Sequence, residues 1–187
     1  MHTLATSVVI SAAAIAQPAL AIAHLDATFG VPAQPAATQP ANPATPSPMA
    51  KVVSESALVN VQQGTAPLII VAGHGGTIRI PGSSDRTSGV TVRDVNTAQI
   101  ALLVGQRLTE KLGATVSTVI VQFSRKDADV NRAPAEAYQN DAAKVHYDAY
   151  HHAIAELIGA AQAKYPSVLL VDIRGQSREP SALVRGT

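Results

Sequence analysis

Leu68-Ile69-Ile70-Val71-Ala72-Gly73-His74-Gly75-Gly76 decides the fold: a short apolar run stops at a histidine set among glycines. A continuous apolar run of this length, bounded by glycine, reads as a buried strand. A loop rich in Gly, Pro and Ser follows, from Gly73 to about Arg93. Ile100, Leu103, Val104, Leu108 and Leu112 then recur at helical spacing, and Gly113 supplies a stop signal. Asp94 or Asn96 is placed to cap that helix. Thr115 to Phe123 is β-branched and predicts a second strand. Residues 135–164 predict a long helix with Val145, Ala149, Ala153, Ile154, Leu157 and Ala161 on one face, ended by Pro166. Val168-Leu169-Leu170-Val171-Asp172-Ile173 predicts a third strand. Strand–helix–strand–helix–strand implies an α/β fold with a parallel sheet and right-handed crossovers.

Such sheets bind ligands beyond the carboxyl ends of their strands. Polar clusters stand at all three predicted ends: His74 with Gly75-Gly76, Ser124-Arg125, and Asp172 to Arg174. Glycines around His74 clear space for the imidazole and let backbone approach closely. That suits a metal ligand, and equally a glycine-rich turn with an incidental histidine. Ser124-Arg125-Lys126-Asp127-Ala128-Asp129-Val130-Asn131-Arg132 packs cations, acids and an amide into one loop. Arginine's planar fork suits carboxylate binding, although charged loops more often pair their own charges. Asp172 at the end of a buried strand suits a ligand, an orienting group or a structural acceptor. His151-His152 are adjacent on the long helix, so they do not share a face and cannot jointly grip one metal.

Composition narrows the function. The chain has 187 residues, 14% of them charged and 3% aromatic, with 47% apolar. Its core is therefore built from Val, Ile, Leu and Ala. A net charge of +1 gives no electrostatic case for nucleic acid or an anionic membrane as partner. The absence of cysteine excludes disulfide scaffolds, thiol nucleophiles and Cys-ligated metal sites.

The N-terminal part reads as processing and tether. Residues 4–23 are apolar, broken by Ser7, Ser11, Gln17 and Pro18, and Ala19-Leu20-Ala21 has the small-x-small form of a signal peptidase site. Residues 1–21 are thus expected to be a signal peptide and the protein to be exported, with no stable membrane insertion after cleavage. Residues 22–50 form a Pro/Ala-rich disordered linker, since six of the twelve prolines fall between Pro32 and Pro48. All 14 Lys and Arg lie after residue 50, which places the folded unit at 51–187.

Gly73-His74-Gly75-Gly76, Phe123-Ser124-Arg125-Lys126 with Asp129 and Asn131-Arg132, Tyr147-Asp148-Ala149-Tyr150-His151, Val171-Asp172-Ile173 with Gly175-Gln176, and Arg185-Gly186-Thr187 together resemble the N-formylglutamate amidohydrolases. The resemblance covers residues 68–187. It implies a three-layer α/β sandwich with a mostly parallel sheet, phosphorylase/hydrolase-like and related to the zinc carboxypeptidases. It implies metal-dependent hydrolysis of an N-acyl amino acid such as N-formylglutamate, with zinc or another divalent metal as cofactor and a small carboxylate as substrate. His74 would be the first metal ligand and Asp94 the second, with Asp85 as alternative. Arg125, Asn131 and Arg132 would hold the substrate carboxylates. The family's third ligand, a histidine, is replaced by Arg174, which has no lone pair to offer a metal. The family's general base is expected beyond Thr187, so the resemblance implies a C-terminally incomplete copy. Two other functions fit the pattern: a non-catalytic carboxylate-binding pseudoenzyme, and a zinc-dependent N-acetylmuramoyl-alanine amidase of the cell wall, which Val71-Ala72-Gly73-His74-Gly75-Gly76 resembles.

Overall fold

The computed structural model describes residues 7–16, 54–176 and 183–186. The linker expected at 22–50 lies outside them, as does most of 1–21. In chain order the elements are β1 (Ser7–Ala16), β2 (Val59–Gln62), β3 (Leu68–Ala72), α1 (Thr97–Leu112), β4 (Ser117–Val121), α2 (Pro134–Ala137), α3 (Asp141–Gln162), β5 (Ser167–Gln176) and β6 (Leu183–Gly186).

The three strands expected from apolar runs form the centre of a mixed α/β sheet. β3 lies between β4 and β5 and is parallel to both, with Val71 opposite Val119 on one side and Asp172 on the other. β2, a four-residue strand that the sequence reading missed, adds an antiparallel edge to β4. β1 runs antiparallel along β5, from Ser7 opposite Gln176 to Ala16 opposite Ser167, and β6 pairs parallel with β1. The full order is β2-β4-β3-β5-β1-β6. The sheet is therefore mixed, where a mostly parallel one was expected.

Burial follows from the period-two geometry of β3. Ile69 and Val71 join one apolar cluster with Ala149, Ala153 and Leu157 of α3. Ile70 and Ala72 join another with Ala101 of α1, Ile120 and Ile173. Each strand residue is thus covered, and burying one such side chain contributes about 1.5–3 kcal/mol. Gly105 lets α1 come close: a Cβ there would stand 3.2 Å from the Thr118 methyl group. The chain passes from β3 through α1 to β4 on one side of β3, then through α3 to β5 on the other. The crossovers diverge at the C-terminal end of β3, and that divergence opens a crevice there.

The helices differ from expectation in three ways. Asn96 occupies the N-cap position of α1 at φ 65°, but its side chain makes no capping bond. Thr97 Oγ1 instead donates to the Asp94 carbonyl at 3.0 Å. The helix expected over 135–164 is two helices, because Tyr138 is extended and Asn140 starts α3 anew by accepting from the Ala143 N–H. Val145, expected on the buried face of α3, is 60% exposed, while Ala143, Tyr147 and Tyr150 are buried. Gly113 ends α1 in the left-handed region as expected.

Candidate functional site

Two of the three polar clusters leave the ends of their strands as expected. The third does not: Asp172 and Arg174 lie within β5, which continues to Gln176. His74, just beyond β3, is buried and forms the hub. Its Nε2 lies 2.7 Å from Asp129 Oδ1, and its Nδ1 lies 3.4 Å from Asp94 Oδ2. Asp129 has no exposed side-chain surface. It accepts from the Asn131 backbone N–H at 3.0 Å and from Arg125 Nε at 3.0 Å, and Arg86 stands 3.6 Å away. Asp94 accepts from the Gly175 N–H at 2.9 Å and faces Arg125 at 3.4 Å. The Asn131 side-chain nitrogen is 3.1 Å from His74 Nε2.

The glycines make these approaches possible, though not by clearing space for the imidazole. A Cβ on Gly76 would sit 2.2 Å from the Phe123 carbonyl oxygen, and one on Gly73 would sit 2.4 Å from a Val130 methyl. A Cβ on Gly175 would press on Asp94 at 3.0 Å. These residues let three chain segments touch around His74.

Burial opposes charge on each member of the cluster, and pairing reverses it. For His74, burial lowers the pKa, but the Asp129 and Asp94 carboxylates outweigh it and the pKa is raised. For Asp129 and Asp94, burial acts upward, but the His74 contact leads the effects that hold both carboxyls below their usual range. Burial lowers the Arg86 pKa. Its guanidinium donates to the carbonyls of Val90, Ser88 and Arg125 and so ties the 86–90 loop to the site.

The expected residues divide. His74, Asp94, Arg125 and Asn131 are brought together. Asp85 is not: it pairs with Arg79 at the surface. The Arg132 guanidinium points outward, 44% exposed, with Glu136 at 3.8 Å as its ion-pair partner. Its backbone is held, since Tyr147 Oη donates to its carbonyl at 2.8 Å and its N–H donates to the Asp129 carbonyl at 3.1 Å. Arg174 pairs with Asp172, whose other oxygen, Oδ1, is buried without a hydrogen-bond partner. His151 packs its ring on Tyr147 and Tyr150, while His152 faces Glu55 and Glu156. Asp129 and Arg86, central here, had been given no role from sequence. An acid two residues before Asn131-Arg132 was the available signal for Asp129.

The donor set can be tested against a metal. Two ligands bound at about 2.1 Å on a tetrahedral zinc stand about 3.4 Å apart. His74 Nδ1 and Asp94 Oδ2 have that separation, and Asp129 on Nε2 is the kind of carboxylate that orients a ligating imidazole. A hydrolytic site needs a third protein donor. Position 174 does not supply it: its guanidinium is engaged with Asp172, on the face of β5 opposite the one that meets Asp94 at Gly175. Among the described residues no group of three or more His, Cys, Asp or Glu is arranged to hold a metal ion. The residues present therefore fit half of a hydrolytic zinc site and not the whole.

No protein family, curated protein or solved structure matches the chain. No helix among the described residues is long and apolar enough to cross a membrane.

Proposed function

We propose that this protein is an exported binder of small carboxylates, built on an amidohydrolase-type α/β scaffold of the zinc-carboxypeptidase kind and without hydrolytic activity of its own. The observation that carries the reading is the state of the arginines. Arg125 and Arg86 are engaged by buried carboxylates and carbonyls. Arg132 alone of the loop's arginines keeps its guanidinium largely exposed, with Glu136 at 3.8 Å beside it, on a backbone pinned by Asp129 and Tyr147. The planar fork binds a carboxylate through two parallel hydrogen bonds, and the pinned backbone fixes where the side chain starts. The second reading, a metal-dependent amidohydrolase of N-acyl amino acids, is favoured by the spacing of His74 and Asp94 and opposed by Arg174.

Calorimetry with N-formylglutamate tests both. The native chain is expected to bind it without releasing formate. Arg132→Ala should weaken binding by about 1.5–3 kcal/mol, the scale of a hydrogen bond to a charged group. Arg132→Lys should recover part of the loss, because the charge remains and the fork does not. Equal affinity in all three proteins would assign Arg132 to the loop alone. Formate release with zinc added would establish the second reading.

Export rests on the apolar segment before Ala19-Leu20-Ala21. Cleavage after Ala21 would remove β1 and leave β5 with an open edge. N-terminal sequencing of secreted material is expected to begin at or near Ile22. An intact Met1 would overturn export and keep β1 in the sheet.

A further inference from the structure

A groove of about 410 Å³ lies outside the buried cluster, and neither His74 nor Arg132 lines it. Its walls come from three segments: Gly76 to Arg79, Thr91 to Arg93, and Ser124 to Lys126. The walls are tied together. Ile78 bridges to Phe123, the Ser124 N–H donates to the Ile78 carbonyl at 2.7 Å, and Arg125 reaches the Val92 carbonyl at 3.4 Å. The groove is therefore formed before any ligand arrives.

Its chemistry has one sign. Arg79, Arg93 and Lys126 line it, together with the hydroxyls of Thr77, Thr91 and Ser124, and no acid does. Arg79 is already neutralised by Asp127 and Asp85. Arg93 and Lys126 have no carboxylate within ion-pair distance among the described residues. Two uncompensated cations beside neutral donors in a concave site are what an anion selects. Ser124 Oγ accepts from the Lys126 backbone N–H at 3.2 Å, so its own proton remains available to donate.

We propose that this groove is an anion-binding site, in which Arg93 and Lys126 hold the phosphate or carboxylate of a small ligand. The claim stands apart from the role given to Arg132. The shared chemistry is a compact oxyanion, and the two sources are distinguished by titrating the full-length Arg132→Ala chain, which lacks the other proposed carboxylate site, with inorganic phosphate and, separately, with glutarate. Saturable binding of at least one is expected, tighter at low salt because the cations are exposed. The stronger of the two isotherms identifies the source. Arg93→Gln and Lys126→Gln should each weaken it at least threefold, and the double variant should abolish it. With Arg132 removed throughout, the binding that remains belongs to the groove, so a failure at Arg132 and a failure in the groove are read separately. No saturable binding of either anion, or an isotherm that survives the double substitution, would overturn the proposal.

Discussion

The Asp129→Ala chain is expected to lose about 3–5 kcal/mol of stability, the cost of breaking a buried ion pair from one side. Total stabilities of domains lie near 5–15 kcal/mol, so much of the margin goes with one carboxylate. The loss is large because Asp129 serves three partners at once. Without it, His74 Nε2 and Arg125 Nε lose their acceptor and the Asn131 N–H is left unpaired. Asp129→Asn keeps the shape and one acceptor, and should lose less. Urea denaturation of the three proteins checks this. A loss under about 1 kcal/mol in Asp129→Ala would place the cluster among solvated surface pairs instead.

The same pair sets a pH window. Asp129 has a depressed folded pKa, so its contribution is present above its unfolded value near 3.9 and is lost as pH falls through the folded one. His74 has a raised folded pKa, so its contribution is present below about 6.5 and is lost as pH rises through the folded value. The His74–Asp129 contact enters both shifts, so they are not additive, and Asp94 adds to the His74 shift from its other side. Stability should therefore be highest between about pH 4 and pH 6.5. Asp129→Ala should weaken both limbs of the profile and leave the part that the His74–Asp94 contact carries.

The centre of the fold was legible because it obeys simple periods. Leu68–Ala72 is a continuous apolar run with every residue buried, and it is the middle strand. Gly113 stops α1 where a left-handed residue is needed. Legibility fails where tertiary contact overrides local pattern. Val145 has the more apolar side chain, yet the face of α3 that meets the sheet is marked by Ala143, Tyr147, Tyr150 and Leu157. β2 reads Val-Asn-Val-Gln, and its alternation is too short to stand out from a loop. The site divides in the same way. His74 and Arg125 stand out because they follow strands. Asp129 is buried by partners as much as 55 residues away in sequence, and Arg86 by the carbonyls of its own loop and of Arg125 and Glu136. A charged residue in a loop reads as solvated until the chain that covers it is known.

Arg174→His should leave zinc affinity within about threefold of that of the native chain. The expected third-ligand position adjoins the pair through backbone alone. The Gly175 N–H is bonded to the same Asp94 oxygen that faces His74, and a Cβ on Gly175 would meet Asp94 at 3.0 Å. Side chains alternate along β5, so position 174 leaves the opposite face, where Arg174 pairs with Asp172. An imidazole there adds no third donor to His74 and Asp94. The cost appears in stability, because Asp172 loses its guanidinium while its Oδ1 is already unpartnered. Zinc titration of the native, Arg174→Gln and Arg174→His chains, each checked for folding by circular dichroism, decides the matter. A gain of about tenfold or more in Arg174→His that His74→Ala cancels would mean that position 174 faces the pair after all, and that the arginine had taken the place of a ligand.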